Sequence, residues 1–83
     1  MAKDLNEILA WVADTFEVPA EKILPETKRD EIEAWDSLGI LTLMARLDED
    51  FQVLLTEEEI QQLRSVEDIL NLLRKRDVLG DNP

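Results

Sequence analysis

Apolar positions follow the three- and four-residue steps of amphipathic helices in three long stretches and one short one. The first stretch begins after Asp4, a favourable N-cap, and has its apolar stripe at Leu5, Ile8, Leu9, Val12 and Phe16. Pro19 disfavours helical backbone at the residue before it, which predicts the end of this helix. Trp11 falls off the stripe, and we expect it to lie against the long connection that follows.

Residues 17–35 form a connection longer than a compact domain usually carries without a purpose. It contains a charge cluster, Lys28 to Glu31, and a free linker would not also carry five large apolar residues. The pattern therefore predicts an ordered loop with a short turn near residues 20–23. We expect it to be clamped onto the helices by Val18, Ile23, Leu24, Ile32 and Trp35.

The second helix is predicted to begin at Asp36 or Ser37 and to end near Phe51. Its core stripe is Ile40, Leu43, Met44, Leu47 and Phe51. A second apolar stripe lies beside it, at Leu38, Leu41 and Ala45. Either this helix is central and buries both stripes, or it exposes the second one for docking. Exposure is favoured because only two other helices of any length are available to cover it.

Two capping signals place the remaining helices. Thr56, with Glu59 three residues on, is a capping box that opens a short third helix. Ser65 opens the fourth helix, whose inward stripe is Val66, Ile69, Leu70 and Leu73. The predicted fold is an all-α four-helix bundle with three longer helices, one short third helix and a long ordered first loop. We expect one domain over residues 1–83, with a frayed tail at 80–83.

Charge and composition narrow the possible partners. The 83 residues include 20 Asp and Glu against 9 Lys and Arg, a net charge of −11. Nucleic acid and anionic membranes are disfavoured because both need a basic face, whereas partners with basic patches are favoured. No apolar stretch approaches the roughly 20 residues of a membrane helix, and the N-terminus does not resemble a signal sequence. We expect a cytoplasmic monomer without membrane insertion.

The chain contains no Cys and no His, which excludes disulfides, thiolate or imidazole metal sites, and ordinary Ser-His or Cys-His nucleophiles. The acidic clusters at 48–50 and 57–59 lack the ligand pattern of an EF-hand loop. A glycosidase-type carboxylate pair is disfavoured because so small a bundle offers little concave volume. We therefore predict no metal site and no catalytic residue.

Ser37 remains as a chemical candidate, although a serine at a helix start is usually only a cap. Here Asp36 is an equally good cap, which leaves Ser37 at the first helical position with its hydroxyl outward. A phosphoester on that hydroxyl would meet free backbone N–H groups and the positive end of the helix dipole. The pattern predicts that Ser37 is a covalent attachment point.

The sequence resembles the acyl and peptidyl carrier protein family. The resemblance rests on Asp36-Ser37-Leu38 after a long loop and before Leu43, Leu47 and Phe51, and it covers nearly the whole chain. It implies that a phosphopantetheinyl transferase esterifies Ser37 with 4′-phosphopantetheine from coenzyme A. The thiol of that arm would carry an acyl group as a thioester and supply the sulfur that the chain lacks. The protein would be a non-catalytic carrier.

The resemblance also implies roles for other residues. Asp36 matches the family's acidic residue before the serine and would help the transferase to engage. A loading ligase for acyl or aminoacyl groups and downstream synthase or transferase enzymes would dock on Leu38, Leu41, Thr42, Ala45, Asp48 and Glu49. An acyl chain would enter between the second and third helices, near Leu47, Phe51, Ile60 and Leu63.

The chain departs from the family pattern early in the second helix. Carriers of fatty-acid synthesis usually have acidic residues where this chain has Gly39 and Thr42, and Arg46 stands at a position that is usually uncharged. We expect Gly39 to leave a bare spot on the docking face. These departures predict a specialised stand-alone carrier of a fatty-acid, polyketide or other dedicated pathway. An aminoacyl or peptidyl carrier, and a helical interaction domain that is never modified, stay open as alternatives.

Overall fold

A computed structural model describes residues 3–80 and contains four α-helices. Their bounds are Leu5–Thr15 (α1), Ser37–Phe51 (α2), Glu57–Gln61 (α3) and Val66–Lys75 (α4). Two 3₁₀ turns, Ala20–Lys22 and Arg29–Glu31, lie in the connection between α1 and α2. The predicted all-α fold with a short third helix is confirmed. Within the described range, no helix is long and apolar enough to cross a bilayer.

The predicted capping residues begin all four helices. Asp4, Asp36 and Ser65 each accept a hydrogen bond from the backbone N–H three residues on, at 2.8, 3.0 and 3.2 Å. Thr56 and Glu59 form both bonds of the capping box that opens α3. Each bond satisfies a first-turn donor that the helix itself leaves without an acceptor. The boundaries of the helices therefore follow directly from the sequence.

Glu59 connects α3 to the end of α4. Its Oε1 accepts from Thr56 N at 3.1 Å, and its Oε2 accepts from Arg76 Nη2, also at 3.1 Å. The hydrogen bond from the Thr56 backbone, together with the Arg76 guanidinium, holds the pKa of Glu59 below its ordinary value. Both contacts favour the ionised carboxylate, so this short helix is fastened at its N-terminus by a charged group.

The core is built mainly from the inward stripes that the periodicity predicted; Leu5, the first residue of the predicted α1 stripe, is 38% exposed, so that part of the prediction is wrong. Residues from α1, α2 and α4 are at most 1% exposed: Ile8, Val12, Leu43, Leu47, Ile69, Leu70 and Leu73. The remaining predicted core positions of α2, Ile40, Met44 and Phe51, are partly buried and pack against this cluster. Burying each large aliphatic side chain contributes about 1.5–3 kcal/mol, so this core is the main source of stability.

The long connection is ordered, with the predicted turn at Ala20–Lys22, but one of its five expected apolar contacts is wrong. Ile23, Ile32 and Trp35 are 2–5% exposed, and Val18 is partly buried against the core. Leu24, in contrast, is 48% exposed. Ile23 has extended backbone, and successive side chains of an extended segment point in opposite directions. Because Ile23 occupies the core, Leu24 faces solvent.

The same connection is paired with the α3–α4 junction, which the sequence pattern did not indicate. Arg29 N donates to Arg64 O, and Val66 N donates to Thr27 O, both at 2.8 Å. Lys28 and Ser65 form an isolated antiparallel bridge between these two hydrogen bonds. The loop that leads to Ser37 is therefore fastened to a distant part of the chain.

Trp11 lies against α2 and not against the long connection, so that prediction is wrong. Its ring packs on Phe51 with centroids 4.9 Å apart, and its Nε1 donates to Asp50 Oδ2 at 2.6 Å. Arg46 lies over the same ring at 5.4 Å and donates to Asp14 Oδ2 at 2.8 Å. Trp11 is off the core stripe because it faces the neighbouring helix at the edge of the α1–α2 contact.

The two ends of the described range meet. Lys3 N donates to Val78 O at 2.7 Å, and Gly80 N donates to Lys3 O at 2.9 Å. Gly80 was predicted to begin a frayed tail, and its N–H is instead hydrogen-bonded here. The rest of that predicted tail, residues 81–83, lies outside the described residues. The assignment of residues 1–83 to one domain stays a prediction.

Candidate functional site

Ser37 is the first residue of α2, and its side chain is exposed. Asp36 has extended backbone and accepts the hydrogen bond from Gly39 N at 3.0 Å, so Asp36 is the N-cap. The hydroxyl of Ser37 is therefore not needed as a cap. Within the first turn, Gly39 N and Ile40 N both donate to Asp36. The N–H groups of Ser37 and Leu38 are left without an intrahelical acceptor, and they place partial positive charge beside that hydroxyl. The geometry suits an anion on Ser37 Oγ.

The backbone of the preceding loop touches α2 at Gly39. A Cβ built on Gly39 would overlap Ala34 O, and it would lie 3.0 Å from the carbonyl carbon of Ala34 and 3.4 Å from Phe16 Cε1. Any side chain at this position would displace the loop. Gly39 therefore faces the loop, and the expectation that it leaves a bare spot on the docking face is wrong. An acidic residue could not stand here without moving Ala34.

Aromatic packing fixes the segment that enters α2. Trp35 is 4% exposed and stacks on Phe16, with ring centroids 5.2 Å apart and planes 21° apart. Arg29 Nε donates to Trp35 O at 3.3 Å. Such a pair contributes about 0.5–1.5 kcal/mol beyond its area of burial. Trp35, two residues before Ser37, is thus held both by the stacking of its ring and by the hydrogen bond to its carbonyl.

The second apolar stripe of α2 is exposed. Leu38 and Leu41 have 74% and 61% of their surface accessible, and Ala45 is also exposed. Thr42 is exposed between them and donates its hydroxyl to Leu38 O at 3.1 Å. The other interpretation, a central helix that buries both stripes, is therefore wrong. The remaining predicted docking residues, Asp48 and Glu49, are exposed near the C-terminal end of the same helix.

The predicted acyl pocket is a packed part of the core. Leu47 is 0% exposed, while Ile60 and Leu63 are each 5% exposed. Phe51 is partly buried beside them and is engaged with Trp11. Leu63 follows the end of α3 at Gln61. The structure brings these residues into one apolar cluster, and an acyl chain that entered there would have to displace packed side chains.

A cavity of about 250 Å³ adjoins the start of α2 and is lined by Asp36, Leu38, Gly39 and Thr42, among others. Ser37 is not one of its lining residues, whereas the carboxylates of Glu17 and Asp36 are, so this cavity does not itself favour an anion. The hydroxyl of Thr42 donates to Leu38 O. Within residues 3–80, no group of three or more carboxylates is arranged to hold a metal ion. The anion-binding features at this end of α2 come from the helix itself.

The model of the family described as the phosphopantetheine attachment site matches residues 6–73. The chain belongs to this family. It is 35% identical over 72 residues to an acyl carrier protein of Thermosynechococcus vestitus, covering 87% of this chain and 89% of the relative. It is 28% identical over 76 residues to an acyl carrier protein of Syntrophus aciditrophicus, covering 92% and 95%. The resemblance predicted from the sequence is confirmed.

Membership of the family also confirms the covalent 4′-phosphopantetheine cofactor, and the chain is an acyl carrier protein in its domain type. The structure brings Asp36 and Ser37 together with the exposed stripe of α2, and it separates this surface from the packed cluster around Leu47. Sequence reasoning missed the contacts of Arg29 with Trp35 and Arg64. The charge cluster that contains Arg29 was visible, but no pattern linked it to Arg64.

Proposed function

We propose that the protein carries acyl groups as thioesters on a 4′-phosphopantetheine arm attached to Ser37, and that it shuttles them between enzymes of a dedicated biosynthetic pathway. The observation that supports this is the position of Ser37. Its hydroxyl is exposed at the positive end of α2, while Asp36 serves as the cap. Ser37 also lies within residues 6–73, which match the attachment-site family.

The attachment reaction is a phosphoryl transfer. Ser37 Oγ forms a bond to the phosphorus that bears pantetheine, and the P–O bond of the coenzyme A diphosphate breaks. Adenosine 3′,5′-bisphosphate leaves, and the hydroxyl proton passes to a base of the transferase. The N–H groups of the first turn of α2 stabilise the negative charge of the resulting phosphodiester. The attached arm supplies a thiol for thioester formation, which a chain without Cys cannot provide itself.

Partner enzymes dock on the exposed stripe of α2 in this proposal. A phosphopantetheinyl transferase, a loading ligase, and a downstream synthase or transferase would each contact Leu38, Leu41 and Ala45 next to the arm. Thr42, Asp48 and Glu49 flank the stripe and would contact polar groups of the partner. The net charge of −11 favours partners with a basic surface around this apolar patch. Asp36 would contact the transferase directly.

An acyl cargo is supported over an aminoacyl cargo because the relatives described above are acyl carrier proteins. The early part of α2 lacks acidic residues, and Arg46, further along the helix, forms an ion pair with Asp14 of α1. A specialised pathway is consistent with this surface. Long acyl chains would enter between α2 and α3 by displacing Leu47, Phe51, Ile60 and Leu63 from one another.

A mass measurement tests the attachment. Apo-protein incubated with coenzyme A and a broad-specificity transferase should gain the mass of one arm, and Ser37→Ala should abolish the gain. The chain offers one matched control, because Ser65 is its other serine. Ser65 Oγ caps α4 by accepting from Asp68 N. Ser65→Ala should lose about 0.5–2 kcal/mol of stability and still gain one arm.

The contrary outcomes differ in meaning. A gain that survives Ser37→Ala would show that another residue carries the arm. No gain with any transferase would favour the alternative of an unmodified helical interaction domain.

A further inference from the structure

A surface cavity of about 510 Å³ lies beside the loop that leads to Ser37. Three cationic side chains line it: Lys28, Arg29 and Arg64. Ile32 and Trp35, which are 5% and 4% exposed, form an apolar part of its wall. The volume is within the range of small-molecule sites, about 300–1,000 Å³. The carboxylates of Asp30 and Glu33 line it as well, so cations outnumber carboxylates here by one, in a chain with a net charge of −11.

The backbone brings these cations together from two distant segments. Arg29 N donates to Arg64 O at 2.8 Å, and the backbones of Lys28 and Ser65 form an isolated antiparallel β-bridge. Arg29 Nε donates to Trp35 O at 3.3 Å, which orients the guanidinium group. The cavity is therefore built by the fold and does not depend on three neighbouring residues of one flexible loop.

The three cations of this cavity form no ion pair with the described residues. Over residues 3–80, the ion pairs within 4.0 Å involve the cations Lys3, Arg46 and Arg76 and none of the three that line the cavity. Asp30 and Glu33 also line the cavity, but neither is paired with a cation. The Nη atoms of Arg29 form no hydrogen bond with described residues. A guanidinium fork in this state is suited to bind a carboxylate.

We propose that this cavity binds the terminal carboxylate of an acyl group on the arm, so that the carrier selects cargo ending in a carboxylate; this rests on the proposed function of Ser37. Trp35 and Ser37 are two residues apart in sequence, so their Cα atoms are separated by at most about 7 Å. The arm and its acyl group tether the carboxylate to Ser37. This tether raises the effective concentration of the carboxylate at the cavity to about the millimolar range, so a weak site suffices. The phosphodiester of the arm offers the same oxyanion chemistry, and the experiment separates the two sources.

The experiment compares four forms of the protein: apo, carrying the bare arm, carrying a pentanoyl arm, and carrying a glutaryl arm. The last two differ in one terminal carboxylate and are made from the corresponding coenzyme A thioesters. We expect the glutaryl form alone to shift the backbone amides of Arg29 and Arg64 and the indole N–H of Trp35 in ¹H–¹⁵N spectra. The shift should fade at 1 M salt, where the Debye length is about 3 Å.

Two double variants form a test and its matched control. Lys28→Gln with Arg64→Gln should abolish the glutaryl-dependent shift. Lys22→Gln with Lys75→Gln removes the same charge from exposed positions away from the cavity and should leave the shift unchanged. Identical glutaryl and pentanoyl spectra would overturn the proposal. A shift that is already complete with the bare arm would assign the site to the phosphodiester and overturn the assignment to cargo.

Failure of the proposed function is distinguishable, because it appears first as an absence of mass gain. In that case glutarate and inorganic phosphate are titrated separately into the unmodified protein. The cavity is supported if the same amides move and if binding is at least tenfold weaker in the Lys28→Gln and Arg64→Gln double variant. It is overturned if these amides do not move or if both double variants respond equally.

Discussion

At the scale of single residues, three residues at the start of α2 have different structural roles. Asp36 caps the helix, Ser37 exposes its hydroxyl, and Gly39 admits the carbonyl of Ala34. The sequence predicts the first two because capping depends on local residue type. It does not predict the third, since the contact depends on where a loop residue folds back. Gly39 is therefore required for the packing of the loop that precedes α2.

Substitution of Gly39 tests this contact. Gly→Ala in a helix normally stabilises by about 0.8–1 kcal/mol. In Gly39→Ala the new methyl group would overlap Ala34 O, and overpacking costs about 1–3 kcal/mol, so we expect a net loss of stability. Urea unfolding at equilibrium measures the difference. Ala45→Gly, at an exposed position of the same helix, is the control and should lose only the difference in helix propensity, about 1 kcal/mol of stability. A more stable Gly39→Ala variant would show that the loop does not approach α2 this closely.

At the scale of helices, periodicity and caps predicted all four helices and the core stripes of α1, α2 and α4, apart from the exposed Leu5. They could do so because those signals are local. The errors and the missed contacts concern the packing between elements. Trp11 reaches α2, Leu24 faces solvent, and the backbone N–H of Arg29 donates to the carbonyl of Arg64. Whether the second stripe of α2 is covered also depends on the neighbouring helices, and 74% exposure of Leu38 decides it.

The two stripes of α2 predict opposite responses to substitution. Leu41 is 61% exposed, so Leu41→Glu should change the free energy of unfolding by no more than about 0.5 kcal/mol. The same substitution should slow pantetheinylation and weaken the binding of partner enzymes. Leu47 is fully buried, so Leu47→Ala should lose about 2–5 kcal/mol. Urea titration measures stability, and the rate of arm transfer measures docking. If Leu41→Glu unfolds the protein, the stripe is covered in solution.

At the scale of the whole molecule, the charge acts on folding and on docking with opposite signs. The described residues extend over 30 × 28 × 20 Å and the chain carries a net charge of −11. At about 0.01 M salt the Debye length is about 30 Å, so charges across the whole molecule repel one another; at 0.15 M it is about 8 Å. Repulsion among these negative charges destabilises the compact state, whereas the negative field that they produce attracts a basic partner from a distance.

Raising the salt concentration should therefore stabilise the fold and slow the proposed transfer of the arm. Between 0.01 and 0.15 M NaCl, we expect the midpoint of urea unfolding to rise while kcat/KM of the transferase for this carrier falls. The four ion-pair contacts found among residues 3–80 are exposed or partly exposed; they would weaken with salt, but each contributes only about 0–1 kcal/mol. KCl at equal ionic strength should reproduce both effects, because screening is not specific to the ion. A fold that loses stability with salt would mean that those ion pairs outweigh the repulsion, and a salt-independent kcat/KM would mean that docking depends on the apolar stripe of α2 alone.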